Sequence, residues 1–302
     1  MNYEEFVCRV QAEVKARIGE GARVERRRIT KNNGVELEGL AIRREGEKIS
    51  PMIYLEEYFA LCKRGMATSQ ITEDILQLYE RSLENIPKDT RFYTDFERVK
   101  KGLACRLINY EKNREQLREV PHICCLDLAL VFYYVMEEQE MGRGTILIYN
   151  SHLEMWGITK EKLCEAARKN TPELFPPEFA GMEEILGEAF REREGEEEDR
   201  LPMYVLTNRE RRFGAVNILY DGVLAEIAEK LQDDLYILPS SVHECIIVPR
   251  CVSSSQEELE EMVRSINCTQ VLPEEVLSDH VYCYEREEHR LRMCYGPDEA
   301  EP

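Results

Sequence analysis

Between Asp234 and Pro249 the chain reads DLYILPSSVHECIIVP, two apolar runs of strand length separated by a compact polar segment. Leu235 to Leu238 and Cys245 to Val248 are rich in Leu, Ile, Val and Tyr, a composition suited to buried strands. The segment between them is Pro239-Ser240-Ser241-Val242-His243-Glu244. Any fold for this chain has to bury both runs while setting those polar side chains at a sheet edge, where sites are often built.

The remaining elements follow from periodicity. Tyr3, Phe6, Val7, Val10, Val14 and Ile18 recur at helical steps, and Gly19 and Gly21 stop that helix. Val24 to Thr30 and Val35 to Ile42 are extended and joined by Lys31-Asn32-Asn33-Gly34, whose Asn-Gly step suits a tight hairpin. Ile49 to Tyr54 carries Pro51, which cannot donate to a ladder and so places it at an edge or a bulge. Helices follow from Leu55 and from a cap at Thr68 or Ser69. Beyond the break at Ile86-Pro87, Leu103 to Ile108 is predicted as a strand, and so is the whole of Ile123 to Met136, which Gly142-Arg143-Gly144 turns into Thr145 to Tyr149. Helices are predicted from Asn150 to Trp156, from Thr159 to a stop at Asn170-Thr171-Pro172, and from Met182 to Phe190. Later elements are a strand over Phe213 to Leu219, helices over Asp221 to Leu231 and from Ser255 to about Asn267, and a closing hairpin of Val281 to Tyr284 with Leu291 to Cys294.

This order predicts an α+β protein with mixed or antiparallel sheets and helices packed to one side. Arg191 to Arg200, REREGEEEDR, has no apolar residue and so nothing to contribute to a core. It is predicted to link two lobes, 1–190 and 201–302, with a further sub-boundary near Pro87.

A formal charge of -19 argues against a surface that tracks nucleic-acid phosphates or anionic lipid. No run approaches the roughly 18 apolar residues of a membrane helix, and acids stand near the N-terminus where a secretory signal has bases. A cytoplasmic protein is predicted. The eleven cysteines have no regular spacing and no CxxC, and read as reduced core residues. No HExxH, phosphate loop or dinucleotide fingerprint occurs, so neither a metal nor a cofactor is expected.

Two groups of residues are candidates for function. Ser240, Ser241, His243 and Glu244 place hydroxyls near an imidazole, the minimum for acyl transfer, although GxSxG is missing and Ser241 and Glu244 also stand at capping-box spacing. Asn150, His152 and Trp156 follow an apolar strand and line a binding pocket with Asp127 or His122 if the hairpin strands are neighbours. Trp156 is the only tryptophan, and such a ring commonly anchors a helix on a sheet.

The segments NNGVEL from Asn32, ISPMIYL from Ile49, ILIYNSHLEMWG from Ile146, AARKNTPELFP from Ala166 and YILPSSVHE from Tyr236 together resemble a Firmicutes family, domain of unknown function 5688. The resemblance implies a bacterial, cytosolic origin and one long family unit, and brings no catalytic residue with it. With no matched catalytic set, the leading expectation is a non-catalytic binding or regulatory module acting on protein partners. A hydrolase using Pro239 to Glu244 is the second, and a nucleic-acid-directed accessory protein the third.

Overall fold

Asn33 and Gly34 both adopt positive φ, 61° and 70°, and the turn they make closes with the Lys31 amide donating to Val35 O at 2.7 Å. The hairpin read from this Asn-Gly step is therefore present. The computed structural model describes residues 1–19, 21–44, 51–84, 93–136, 144–186, 202–252 and 255–294. These fall into two compact units that divide between residues 84 and 93. The turn at Gly142-Arg143 and the sub-boundary near Pro87 lie outside the described residues.

In the smaller unit, α1 (Tyr3–Ile18) is followed by β1 (Ala22–Thr30), β2 (Glu36–Arg44) and β3 (Met52–Tyr54), then α2 (Glu56–Lys63) and α3 (Thr68–Glu84). The strands form one antiparallel sheet in the order β1-β2-β3, with the strand after Pro51 at its edge as predicted. Phe6, Val7, Val10 and Val14 of α1, Leu40 and Ile42 of β2, and Ile71, Ile75 and Tyr79 of α3 share one buried cluster. The helix-period stripes and the strand alternation thus meet in a single core.

The larger unit holds two further antiparallel sheets, which makes the protein α+β throughout its described residues. In the first, β4 (Leu103–Asn109) pairs with β6 (Leu128–Val135), which pairs in turn with β5 (His122–Cys125) and with β7 (Thr145–Leu147). One prediction is corrected here. Ile123 to Met136 is a hairpin rather than one strand, because Leu126 takes φ 57° and the chain reverses through Asp127, bringing Cys125 opposite Leu128.

The second sheet has the order β13-β12-β10-β11-β9-β8. Its strands are β8 (Pro177–Gly181), β9 (Tyr204–Asn208), β10 (Leu235–Leu238), β11 (Cys245–Pro249), β12 (Tyr282–Glu285) and β13 (Arg290–Met293). The two runs that flank the polar segment, β10 and β11, are neighbours at its centre, paired from Leu235↔Pro249 to Leu238↔Ile246. Two further predictions are corrected. Gly214–Leu219 is a 3-10 helix rather than a strand, entered through Phe213 at φ 56°. The helix capped by Thr159 runs on through Pro172 to Leu174, with the Thr171 hydroxyl donating to Ala167 O near its end.

Not all cysteines are free. Cys283 and Cys294 are bonded across the β12–β13 hairpin with Cα atoms 5.6 Å apart, while nine others are thiols. Diagonal positions on adjacent antiparallel strands lie within disulfide reach, a proximity that spacing along the chain does not reveal.

The acidic run 191–200 lies outside the described residues, yet the strands on either side of it pair directly, from Pro177↔Asn208 to Gly181↔Tyr204. One buried cluster also takes Leu107, Phe132 and Leu163 from before the run and Leu206, Ile237 and Tyr282 from after it. Cleavage at a protease site inserted within 191–200 is therefore expected to leave both pieces in one complex that parts only in denaturant. Separate elution of the pieces in native buffer would instead mean that the run joins independent lobes.

Candidate functional site

The polar segment leaves the sheet at Pro239 and is held by a second stretch of backbone. Ser278 N donates to Pro239 O, Leu277 N to Ser240 O, and Val242 N to Glu275 O, at 2.8 to 3.0 Å. Ser240 and Ser241 are each only 6 % exposed as a result. The Ser241 hydroxyl accepts the His243 amide at 3.1 Å, a local bond of the kind that shapes turns.

Both nitrogens of His243 are engaged. Nδ1 accepts the Phe213 amide at 3.2 Å, and Nε2 faces Glu275 Oε1 at 3.2 Å. In the neutral ring this pattern requires the proton on Nε2. Among the described residues neither Ser240 nor Ser241 bonds an imidazole, so the segment contains no hydroxyl–imidazole pair of the kind a hydrolase uses.

The imidazole instead ends an aromatic and cationic stack. It lies 5.6 Å from the Phe213 ring at an interplanar angle of 14°, and Phe213 meets Tyr133 edge-on at 5.6 Å. The guanidinium of Arg106 sits 4.4 Å from the Phe213 centroid and 5.9 Å from that of Tyr133, and Arg212 is 5.1 Å from Phe213. Gly214 allows this approach, since a Cβ there would come within 2.6 Å of His243 O. Arg106, Arg212, Phe213 and His243 all keep partial exposure, whereas Tyr133 is buried.

Arg106 is the unusual member. It interrupts the buried strand β4, its Nε is shielded from water without a hydrogen-bond partner, and among the described residues no carboxylate pairs with it. Burial pushes its pKa down, the Tyr133 hydroxyl opposes that shift, and the nearby charge of Arg212 adds to it. Sequence reading assigns β4 as a strand and passes over this residue, although a lone arginine in LACRLIN is itself a signal.

In the second predicted group Asp127 stands apart from the other three in its bonds. Asp127 sits in the β5–β6 turn, where Oδ2 accepts the Ser278 hydroxyl at 2.7 Å and Oδ1 the Tyr282 hydroxyl at 2.5 Å. Asn150 donates from Nδ2 to Arg118 O, and His152 Nδ1 accepts the Tyr149 amide. Trp156 donates to Tyr93 O at 2.8 Å, with its ring 5.6 Å from Tyr93 and 5.7 Å from His152. Among the described residues no hydrogen bond or ring contact joins Asp127 to the other three. Asn150, His152 and Trp156 thus seat the helix 150–156, and burial lowers the His152 pKa.

A separate cavity of about 430 Å³ is lined by Cys105, Arg168, Pro172, Tyr220 and Asp221 among others. Burial pushes the Cys105 thiol up to about 11, and it lies 3.3 Å from the Thr171 hydroxyl. A thiol in that state is a poor nucleophile.

A family model described as a family of unknown function, DUF5688, matches residues 3–286. The chain belongs to this family. No curated protein and no solved structure matches it. The DUF5688 match spans residues of both compact units and runs across the acidic stretch, so Arg106, Phe213, His243 and Glu275 all lie inside the family region.

Proposed function

We propose that this DUF5688 protein is a non-catalytic, cytosolic bacterial binding module that acts on protein partners. The observation that carries this reading is the state of the polar loop. His243 has both nitrogens committed to the fold, and its serines are buried, while the rings and guanidinium groups beside it remain partly open to solvent. Aromatic and arginine side chains at partial exposure are the residue types enriched where proteins bind one another. Nine free thiols support a reducing compartment, which would also open the Cys283–Cys294 bond.

Affinity capture from a bacterial lysate with the full chain, read by mass spectrometry, tests the reading. A protein recovered in stoichiometric amount by the wild type, and lost with Phe213→Ala, is the expected outcome. Recovery of RNA or DNA that is released steeply as salt rises would favour a nucleic-acid role instead. Covalent labelling of Ser240 or Ser241 by a fluorophosphonate would favour a hydrolase.

A further inference from the structure

A guanidinium on a buried strand ordinarily has a carboxylate beside it, because an uncompensated charge away from water is among the costliest features a fold can keep. Arg106, half-buried on β4, has no such carboxylate among the described residues. Its Nε meets no acceptor, Arg212 adds a like charge beside it, and its guanidinium lies over the Phe213 and Tyr133 rings. Glu275, which packs against the polar loop, is turned to His243 Nε2 at 3.2 Å. Stacking on rings holds a guanidinium plane in place while leaving its N–H edge free to donate, which is the arrangement used for planar, bidentate recognition of an anion.

We propose that Arg106 is a receptor for a single carboxylate, presented by an acidic side chain of a protein partner and bound at the guanidinium that the Phe213 ring holds in place. The inference rests on the binding-module reading and names the group that the site takes. Charge selects a carboxylate over a phosphate monoester. In a chain of formal charge -19 a second negative charge on the ligand meets repulsion from the protein as a whole, against which only the guanidinium groups of Arg106 and Arg212 stand locally. The same field disfavours a polyanion, so recognition depends on the local guanidinium and rings rather than on long-range attraction.

The test uses the full chain labelled with ¹⁵N, in which the Arg106 Nε–Hε signal is identified by its loss in Arg106→Lys. The probes are acetate, the blocked peptide acetyl-Gly-Glu-Gly-amide, its glutamine counterpart and phenyl phosphate. A saturable shift of the Arg106 signal with acetate and with the glutamate peptide, tighter for the peptide, is expected, with no response to the glutamine peptide. Binding of the glutamate peptide, followed by calorimetry, should weaken about tenfold or more in Arg106→Lys, which keeps the charge but loses the planar fork. No saturable shift with either carboxylate, equal response to both peptides, or tighter binding of phenyl phosphate would each overturn the proposal. Acetate binding at least as tightly as the peptide would overturn the partner side chain as its source. If the carboxylates bind but the wild type captures no protein, the proposed function fails, and the partner side chain with it, while the carboxylate site at Arg106 stands. If Arg106→Lys captures the same partner undiminished, the inference fails and the function stands.

Discussion

Gly214→Ala is expected to destabilise the larger unit by about 3 kcal/mol, among the largest effects of any single methyl in this protein. The added Cβ would lie 2.5 Å from Thr207 Oγ1, 2.6 Å from His243 O and 2.7 Å from Asn208 N. Two of those three atoms are backbone, and neither can swing aside. The Thr207 hydroxyl already donates to His243 O at 2.8 Å, so the methyl would wedge apart the contact that ties the polar loop to β9. Gly181→Ala in the same sheet serves as the control, since its Cβ meets nothing within 4 Å. Urea unfolding should show a lower midpoint for the first variant and almost no change for the second. Equal midpoints would mean that the 3-10 turn at Gly214 does not approach the loop as described.

A second large loss, again about 3 kcal/mol, is expected for Asp127→Ala. Its carboxylate takes hydroxyls from Ser278 and Tyr282, and both of those residues are 0 % exposed. Burial first, and then the Asp127 charge, drives the Tyr282 pKa far up, so the phenol stays protonated and donates. Removing the acceptor leaves two buried hydroxyls without the carboxylate they donate to, although Ser278 Oγ still accepts the His280 amide, and the backbone bond from Tyr110 N to Asp127 O is untouched. Pairing Asp127→Ala with Tyr282→Phe should therefore cost clearly less than the two single losses together, because the double variant has one fewer orphaned hydroxyl. Strict additivity in urea unfolding would show that the carboxylate and the phenol do not interact.

How far the sequence was legible depends on whether a feature was local. The Asn33-Gly34 turn and the strands 235–238 and 245–249 are set by neighbouring residues, and the structure has them where the residues put them. Ile123 to Met136 misled because every residue but one suits a strand, and periodicity is silent about where an apolar run folds back. The exception, Asp127, was the mark of the turn. Phe213 to Leu219 has strand composition but becomes a 3-10 helix through distant bonds, from Phe213 N to His243 Nδ1 and from Ala215 N to Val242 O. The site was half legible in the same sense. His243 stood out by type, but Glu275 and Arg106, which define what the imidazole does and what stands beside it, come from remote parts of the chain. Arg106 and Asp127 share one lesson: a lone charge inside an apolar run marks a turn, as at Asp127, or a guanidinium held over rings, as at Arg106, and sequence alone does not say which.

The most direct measurement of the central claim, that His243 is a fixed connector within a binding site rather than the base of a catalytic pair, is its tautomer. Long-range ¹H–¹⁵N correlation on the folded protein, with the ring neutral, should find the proton on Nε2 and an unprotonated Nδ1, as the bonds from Phe213 N and to Glu275 require. A proton on Nδ1, with Nε2 bare and free to accept from a serine hydroxyl, would contradict the account and restore the acyl-transfer reading.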